Sequence, residues 1–204
     1  MITHIEQIEL KRLGRAQYLS TFEAMRSFTA GRTEVTPDEL WLLEHWPVYT
    51  LGQGASQEDA PANGIPLVRS DRGGDITYHG PGQLVVYTLV DLGRRGIKVK
   101  QFVTLLEQAV MDLIGVRAQR RPGAPGVYVA GAKVAALGIR VRHGRAYHGL
   151  ALNVDMDLSP FAAIDPCGYP GLAVTQLRDL GIPGTLDAVA DRLAALLIER
   201  IEHA

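Results

Sequence analysis

The spacing of apolar side chains predicts helices at three places in the chain. Between Ala16 and Thr29 apolar residues recur at nearly helical intervals, and Gly31 follows as a stop. A second apolar stripe runs from Phe102 to Ile114, and Thr185 is a suitable N-cap for a last helix. The predicted buried faces of the first and last helices carry Leu19, Phe22, Met25 and Phe28, and Val189, Leu193, Leu196, Leu197 and Ile201, respectively.

Short apolar runs between these helices predict strands. The predicted strands are Leu40–Leu43, Val48–Thr50, Leu67–Arg69, Gln83–Val90, Val127–Val129, Lys133–Val141 and Tyr147–Val154. Three segments are predicted as loops: the polar one from Gly52 to Gly64, the glycine-rich one from Arg72 to Gly82, and the proline-flanked one from Phe161 to Gly171. Helices and adjacent strands follow one another without a regular alternation. This favours an α+β fold with a mixed sheet over a Rossmann fold.

Composition narrows the class of protein. The chain has 204 residues, of which 47% are hydrophobic, enough for one domain with a sizeable core. Its single cysteine cannot form an intrachain disulfide, which excludes a disulfide-built secreted domain. The first residues lack the pattern of a signal peptide, and no run of about 18 apolar residues occurs. We therefore expect a soluble, cytoplasmic protein.

Basic residues are concentrated in the middle of the chain, although the net charge is −1. Residues 94–145 hold 11 of the 21 basic and 2 of the 22 acidic side chains. These cations are either ordinary solvated side chains or an electrostatic dock for an acidic partner. Nucleic acid is a poorer partner because aromatic residues are few and no reading motif occurs. The candidate docking residues are Arg117, Arg120, Arg121, Arg140, Arg142 and Arg145.

The glycine-rich segment is the first candidate for chemistry. It runs from Arg72 through paired glycines to His79, and it is neither a P-loop nor a dinucleotide fingerprint. Glycines let a backbone approach a ligand closely, and successive N–H groups can bind an anion. A tight β-turn is the plain alternative.

Lys133 and Cys167 are the other candidates. Lys133 lies among small and apolar residues, where a lysine must pair, extend to solvent or lose its charge. Cys167 lies between Pro166 and Gly168 in a predicted loop, which favours a reactive thiol over a buried small hydrophobe. A Cys–His dyad with His79 or His148 is an alternative. Metal-ligand spacings and the serine nucleophile elbow are absent from the sequence.

Together these strings resemble the lipoyl(octanoyl) transferases, also called octanoyl-acyl-carrier-protein:protein N-octanoyltransferases. The matching strings are Trp41–His45, Pro47–Gly52, Arg72–Val86, Gly131–Lys133, His148–Val154 and Pro166–Gly168. They follow the expected order across roughly Leu40 to Leu177. The resemblance implies a biotin/lipoate protein ligase-like fold, an α+β mixed sheet flanked by helices. It also implies a single catalytic domain over residues 1–204, with a core of about 40–180.

The resemblance implies an acyltransferase of the first step of endogenous protein lipoylation. Such enzymes move an octanoyl (or lipoyl) group from acyl carrier protein to a specific lysine of lipoyl domains. The acceptors are the lipoyl domains of 2-oxoacid dehydrogenase complexes and the glycine cleavage H protein. The transfer passes through a cysteine thioester, without ATP, metal or other cofactor, and involves neither nucleic acid nor a membrane.

Mapped by motif, the resemblance makes Cys167 the catalytic nucleophile and Lys133 the cation that favours its thiolate. The implied substrate-binding residues are Arg72, Gly73, Gly74, Asp75, Ile76, Thr77, Tyr78, His79, Ala136, Leu137, Gly138, Gly149, Leu150 and Ala151. Two other functions are compatible with parts of the pattern. One is an ATP-dependent lipoate or biotin protein ligase of the same fold, which needs no cysteine nucleophile. The other is a non-catalytic module that binds acyl carrier protein.

Overall fold

The structure is a computed structural model that describes residues 7–56, 61, 63–115, 117–164 and 172–204. Within these ranges the strands are β1 (Glu9–Ala16), β2 (Glu39–His45), β3 (Val48–Leu51), β4 (Leu67–Arg69), β5 (Ile76–His79), β6 (Gln83–Leu89), β7 (Ala118–Gln119), β8 (Gly126–Val129), β9 (Ala132–Arg142) and β10 (Arg145–Asn153). The α-helices are α1 (Tyr18–Gly31), α2 (Leu92–Arg95), α3 (Val99–Ile114) and α4 (Leu186–Glu202). A short 3-10 helix covers Ser159–Ala163.

The strands form a large and a small sheet. The large sheet has seven strands in the order β1-β2-β6-β10-β9-β8-β7, and only β1 and β2 pair in parallel. The small sheet has the order β4-β3-β5, with β3 parallel to β4 and antiparallel to β5. Two tight turns build the β8–β9–β10 meander. Ala130-Gly131 and His143-Gly144 all have positive φ, as two-residue hairpin loops require.

Apolar side chains cover both faces of the large sheet. Helices α3 and α4 pack on one face and bury most of the core there. Helix α1 packs on the other face through Tyr18, Phe22 and Met25. The small sheet lies on the α1 side, where the ring of His79 stacks on Tyr18 and the N–H of Gly73 donates to the carbonyl of Ile139 on β9. A cleft is left between the small sheet and the large one.

Most elements predicted from the apolar pattern are confirmed. Leu67–Arg69 is a strand with the predicted bounds, and Ala130-Gly131 joins two strands as expected. The hydroxyl of Thr185 accepts from the N–H of Ala188 and caps α4. Leu19 is a correction, since it is 53% exposed while Tyr18 is buried in its place.

Two predicted loops contain regular structure, and two strands, β1 and the two-residue β7, were missed. Ile76–His79 is a strand, because the glycines before it make a turn and leave four residues free to pair with β3. Ser159–Ala163 is a 3-10 helix, while residues 165–171 of that predicted loop lie outside the described ranges. Strand β1 gave no apolar pattern because nearly all its residues are exposed. No helix in the described part of the chain is long and apolar enough to span a membrane.

Candidate active site

The cleft between the two sheets contains about 750 Å³ of empty space, part of which is open to solvent. It is lined from the glycine-rich segment on one side and from β6, β9 and β10 on the other. The lining includes these predicted residues: Arg72, Gly74, Asp75, Ile76, Thr77, His79, Lys133, Ala136, Leu137, Gly138, Gly149, Leu150 and Ala151. The structure thus brings three separate predicted segments and Lys133 to one place.

Gly73 and Tyr78 are the predicted residues that do not line the cleft. The ring of Tyr78 packs between Tyr49 and Phe161 beneath the small sheet. The N–H of Gly73 donates to Ile139 at 3.0 Å. Both residues hold the glycine-rich segment in place rather than face the cavity.

Arg72 clamps the glycine-rich segment to the small sheet. Its Nε donates to Thr50 Oγ1 at 3.1 Å, and its Nη2 donates to Thr50 O at 2.7 Å. The same guanidinium reaches the carbonyls of Gly73 at 3.0 Å and Asp75 at 2.7 Å. These bonds turn the main-chain oxygens of the turn toward the arginine, and the side chain is only 8% exposed. The arginine therefore organises the cleft wall as well as lining it.

Gly138 and Gly149 allow backbones to approach each other. A Cβ on Gly138 would lie 2.8 Å from Gly73 O, so the glycine-rich segment fills the space that the missing side chain leaves. A Cβ on Gly149 would lie 2.1 Å from Val86 O on the neighbouring strand. The missing side chain of Gly138, an implied substrate-binding residue, therefore makes room for the wall of the cleft.

Lys133 reaches the cleft from the start of β9 and is 4% exposed. Its Nζ donates to Pro125 O at 3.4 Å and lies 5.3 Å from the ring centroid of Tyr128. A carbonyl oxygen and an aromatic face are both favourable to a cation. The contacts with Pro125 and Tyr128 thus hold the lysine inside an otherwise apolar strand.

The main chain of Lys133 binds the segment that follows residues 165–171. Its N–H donates to Ala173 O at 2.8 Å, and its carbonyl accepts from Thr175 N at 2.9 Å. Cys167 itself lies outside the described residues. Phe161, six positions before it, and Val174, seven positions after it, both line the cleft.

Hydrogen bonds through the side chains of Gln83 and Asn153 connect His79 in the cleft wall to the segment that pairs with the main chain of Lys133. His79 donates from Nδ1 to Gln83 Oε1 at 2.7 Å, and Gln83 Nε2 donates to Asn153 Oδ1 at 2.9 Å. Asn153 Nδ2 then donates to Thr175 O at 2.9 Å, next to the main chain of Lys133. Buried amides that are bonded at both ends fix the relative positions of their strands.

Three histidines are buried among the described residues, and all three are held in the neutral form. Burial lowers the pKa of His79 to about 3 and that of His45 to about 4. Burial also lowers the pKa of His148, although the neighbouring Asp71 carboxylate opposes this shift. His79 and His148 line the cleft, whereas His45 lies behind it and bonds to the hydroxyl of Tyr87. A neutral imidazole can accept or donate a hydrogen bond there but adds no charge to the cleft.

Several cleft residues were not predicted as substrate-binding residues. They are Tyr18, Gln83, Val85, Tyr87, His148, Asn153, Phe161 and Val174. Gln83 and Asn153 carried a usable signal, since each is a polar residue inside an apolar strand and must find a buried partner. Tyr18 and Tyr87 carried none, because a buried tyrosine is common in any core.

The basic segment is not one uniform surface. Arg94 and Arg95 both pair with the buried Asp38, and Arg120 pairs with Glu107. Arg117 bonds to Leu180 O, Arg121 lies over the ring of Tyr128, and Arg140 bonds to Gln53. Arg142 and Arg145 line a recess beside α1. In the described ranges no three His, Cys, Asp or Glu side chains are grouped as a metal site requires.

Comparison with known proteins places the chain in a family. The model of the lipoyl protein ligase A/B catalytic domain matches residues 17–198. An octanoyltransferase from Dechloromonas aromatica (strain RCB) is 57% identical over 198 residues, which cover 95% of this chain and 97% of the relative.

Solved structures show the fold. The crystal structure of lipoate-protein ligase A bound with ATP has a TM-score of 0.81 at 16% identity, over 97% of this chain and 86% of that one. A bi-partite lipoate protein ligase, analysed together with its E2 lipoyl domain from Thermoplasma acidophilum, has a TM-score of 0.77 at 17% identity, over 96% and 84%. The predicted α+β fold of biotin/lipoate protein ligase type is therefore confirmed.

Proposed function

We propose a two-step acyl transfer for this chain, which belongs to the lipoyl protein ligase A/B catalytic-domain family and, within it, to the octanoyltransferases. The protein is an acyltransferase that moves an octanoyl group in protein lipoylation. The proposed route takes the octanoyl group from acyl carrier protein to the Cys167 thiol. The second step delivers it to a lysine of a lipoyl domain.

The position of Lys133 carries this proposal. Its side chain lines the cleft. Phe161, before Cys167 in the chain, and Val174, after it, line the same cleft. A cation near a thiol favours the thiolate, which is the reactive nucleophile. The pairing of the Lys133 main chain with Ala173 and Thr175 ties the lysine to the segment that follows the cysteine.

In the first step the Cys167 thiolate attacks the carbonyl carbon of the octanoyl thioester on the carrier. The new C–S bond forms as the bond to the carrier sulfur breaks, and that sulfur leaves as a thiol by taking a proton from solvent, which replaces the proton that Cys167 released to solvent on becoming a thiolate. One thioester replaces another, so the step needs no ATP. The ammonium of Lys133 stabilises the attacking thiolate, and its proton remains available for the second step.

In the second step the amine of the acceptor lysine attacks the Cys167 thioester. The C–N bond forms, the C–S bond breaks, and the amine gives up a proton. Lys133 donates a proton to the departing Cys167 sulfur and takes one from the attacking amine. A single residue that both donates and accepts can serve both steps, which a fixed cation cannot do.

We assign acyl carrier protein as the donor, with 2-oxoacid dehydrogenase lipoyl domains and the glycine cleavage H protein as acceptors. The family description and the ligase from Thermoplasma acidophilum with its E2 lipoyl domain support acceptors of this class. A cytoplasmic location and a single catalytic domain over residues 1–204 belong to the same proposal.

Intact mass spectrometry tests the covalent step. Incubation with octanoyl-acyl carrier protein and no ATP should add one octanoyl group, removable by neutral hydroxylamine. Cys167→Ala should lose both the adduct and the transfer to a lipoyl domain, and Cys167→Ser should at most trap a stable ester. Transfer that requires ATP would identify a ligase. Carrier binding without any transfer would identify a binding module, and wild-type turnover by Cys167→Ala would disprove the thioester.

A further inference from the structure

His148 has a backbone conformation that re-directs its side chain. Its φ is +61°, in the left-handed region that only a few per cent of residues other than glycine adopt. Ala146 and Leu150, two positions before and after His148 on β10, face the core beneath α3 and α4. Regular alternation would put His148 there too. Its ring packs instead against Phe22 and Tyr147, at centroid distances of 5.3 and 5.0 Å. The positive φ thus turns His148 to the cleft face of the sheet.

Hydrogen bonds then fix the orientation of the ring. Burial raises the pKa of Asp71, but hydrogen bonds from His148 and Tyr147 outweigh it and hold the pKa below its ordinary value. Asp71 is therefore ionised at neutral pH, so Nε2 of His148 must carry the proton that it donates over 2.8 Å. Nδ1 is buried and has no partner among the described residues. An apolar side chain would fill this space at a lower cost, so filling the space does not explain a histidine here.

The distance from Lys133 to His148 matches an octanoyl chain. Lys133 Nζ lies 3.5 Å from the position of a Cβ on Gly126. Gly126 pairs with Ala136, which pairs with Ala151 on β10. Gly126 and Ala151 lie two strands apart, roughly 10 Å across the sheet, and Ala151 and His148 are three residues apart, roughly 10 Å along a strand. Lys133 Nζ and the start of the His148 side chain are therefore roughly 14 Å apart. The seven C–C bonds of an extended octanoyl chain span roughly 9 Å, since each bond is about 1.5 Å and the chain zigzags. A hydrogen-bond distance of about 3 Å at the ammonium and a van der Waals contact at the imidazole take up the rest.

We infer that His148 closes the inner end of the acyl cleft and sets the length of the acyl chain that the enzyme accepts. This rests on the proposed function, in which the acyl carbonyl lies beside Lys133. The inner end is sealed by His148, Tyr18 and Tyr87, which are 1%, 3% and 4% exposed. Two further methylene groups would lengthen the chain by roughly 2.5 Å and press its methyl end into the imidazole.

The chain-length profile of two variants tests this role. His148→Gly removes the ring, and glycine adopts a positive φ without steric cost. The ratio of kcat/KM for decanoyl to octanoyl carrier protein should rise roughly 10-fold over wild type, the gain expected from burying two methylene groups. His148→Asn also tolerates this φ and is shorter than histidine, so the ratio should rise by less. Leu193→Ala is the control, because it truncates a fully buried side chain on α4, on the face of the large sheet opposite the cleft, and it should leave the ratio unchanged.

A parallel loss with both donors would overturn the inference, since a purely structural residue lowers both rates and leaves their ratio as in wild type. If circular dichroism shows that His148→Gly is unfolded, the asparagine variant decides the matter. Failure of the proposed function is a separate result. In that case wild-type Cys167 would not become acylated from octanoyl-acyl carrier protein at all.

Discussion

Arg72→Lys tests whether the guanidinium holds the glycine-rich wall of the cleft. The arginine serves at least four acceptors, the two oxygens of Thr50 and the carbonyls of Gly73 and Asp75. A lysine keeps the charge, but its three donors radiate from one nitrogen and cannot span the fork of a guanidinium. One or two buried acceptors would lose their partners, at about 1–3 kcal/mol each. We therefore expect the free energy of unfolding to fall by about 2–4 kcal/mol.

Urea titration followed by circular dichroism measures this loss. With a slope of about 2 kcal/mol per molar urea, the midpoint should move down by about 1–2 M. Arg120→Lys is the matched control, because this arginine is 34% exposed at its side chain and pairs with Glu107 near the surface. We expect that control to lose less than about 1 kcal/mol.

Equal midpoints for the two variants would refute the clamp. That result would mean that the carbonyls of Gly73 and Asp75 find other donors once the guanidinium is gone. A lower dependence of the unfolding free energy on urea concentration would instead report a change in the surface exposed on unfolding. In that case the shift in midpoint would not measure the loss of stability.

Lys133→Arg keeps a cation but cannot accept a proton near neutral pH, so we expect self-acylation to persist while transfer falls by roughly 100-fold or more. Lys133→Ala should lose both steps, and rapid-quench mass spectrometry separates them. If Cys167 alkylation against pH changes in a His79 or His148 variant but not in Lys133→Ala, the nucleophile is part of a Cys–His dyad. In a pH titration of stability, buried His45 and His79 have folded-state pKa values of about 4 and about 3. Their contribution is complete above the unfolded value of about 6.5 and is lost as pH falls toward the folded values. Thermal melts should therefore show stability declining from about pH 6.5 to pH 4, and His45→Gln should flatten that decline.

The sequence predicted several elements at their observed positions. Leu67–Arg69 and the α4 cap at Thr185 were placed correctly, because their local signals agree with the packing around them. Strand β1 was missed because it lies at the edge of the sheet and exposes its charged side chains on both faces, which removes the apolar alternation. Strand β5 was not predicted because glycines lie on both sides of it in the sequence. The turn that precedes the strand lets the backbone at Gly73 approach the backbone at Gly138 closely.

The candidate site was predicted through motif resemblance rather than periodicity. Apolar spacing alone could not have joined the segment at Arg72 to Gly138, which are far apart in sequence and meet only when the small sheet packs on β9. The re-direction of His148 was also out of reach, because a positive φ inside a strand leaves no trace in the pattern of apolar residues. The placement of Cys167 stays a prediction.

The two outer strands of the large sheet bear on how the protein avoids aggregation. An exposed edge offers unpaired backbone groups to any passing chain. At one edge β7 has only two residues, too few to template a partner. At the other, β1 carries Lys11, Arg12 and Arg15, and a bulge at Leu13 breaks its register with β2. These three side chains form ion pairs with Glu39, Asp191 and Glu44, and a strand that added to this edge would have to displace or crowd those pairs. The strand that gave the weakest sequence signal is therefore also the one that discourages sheet-to-sheet association between copies.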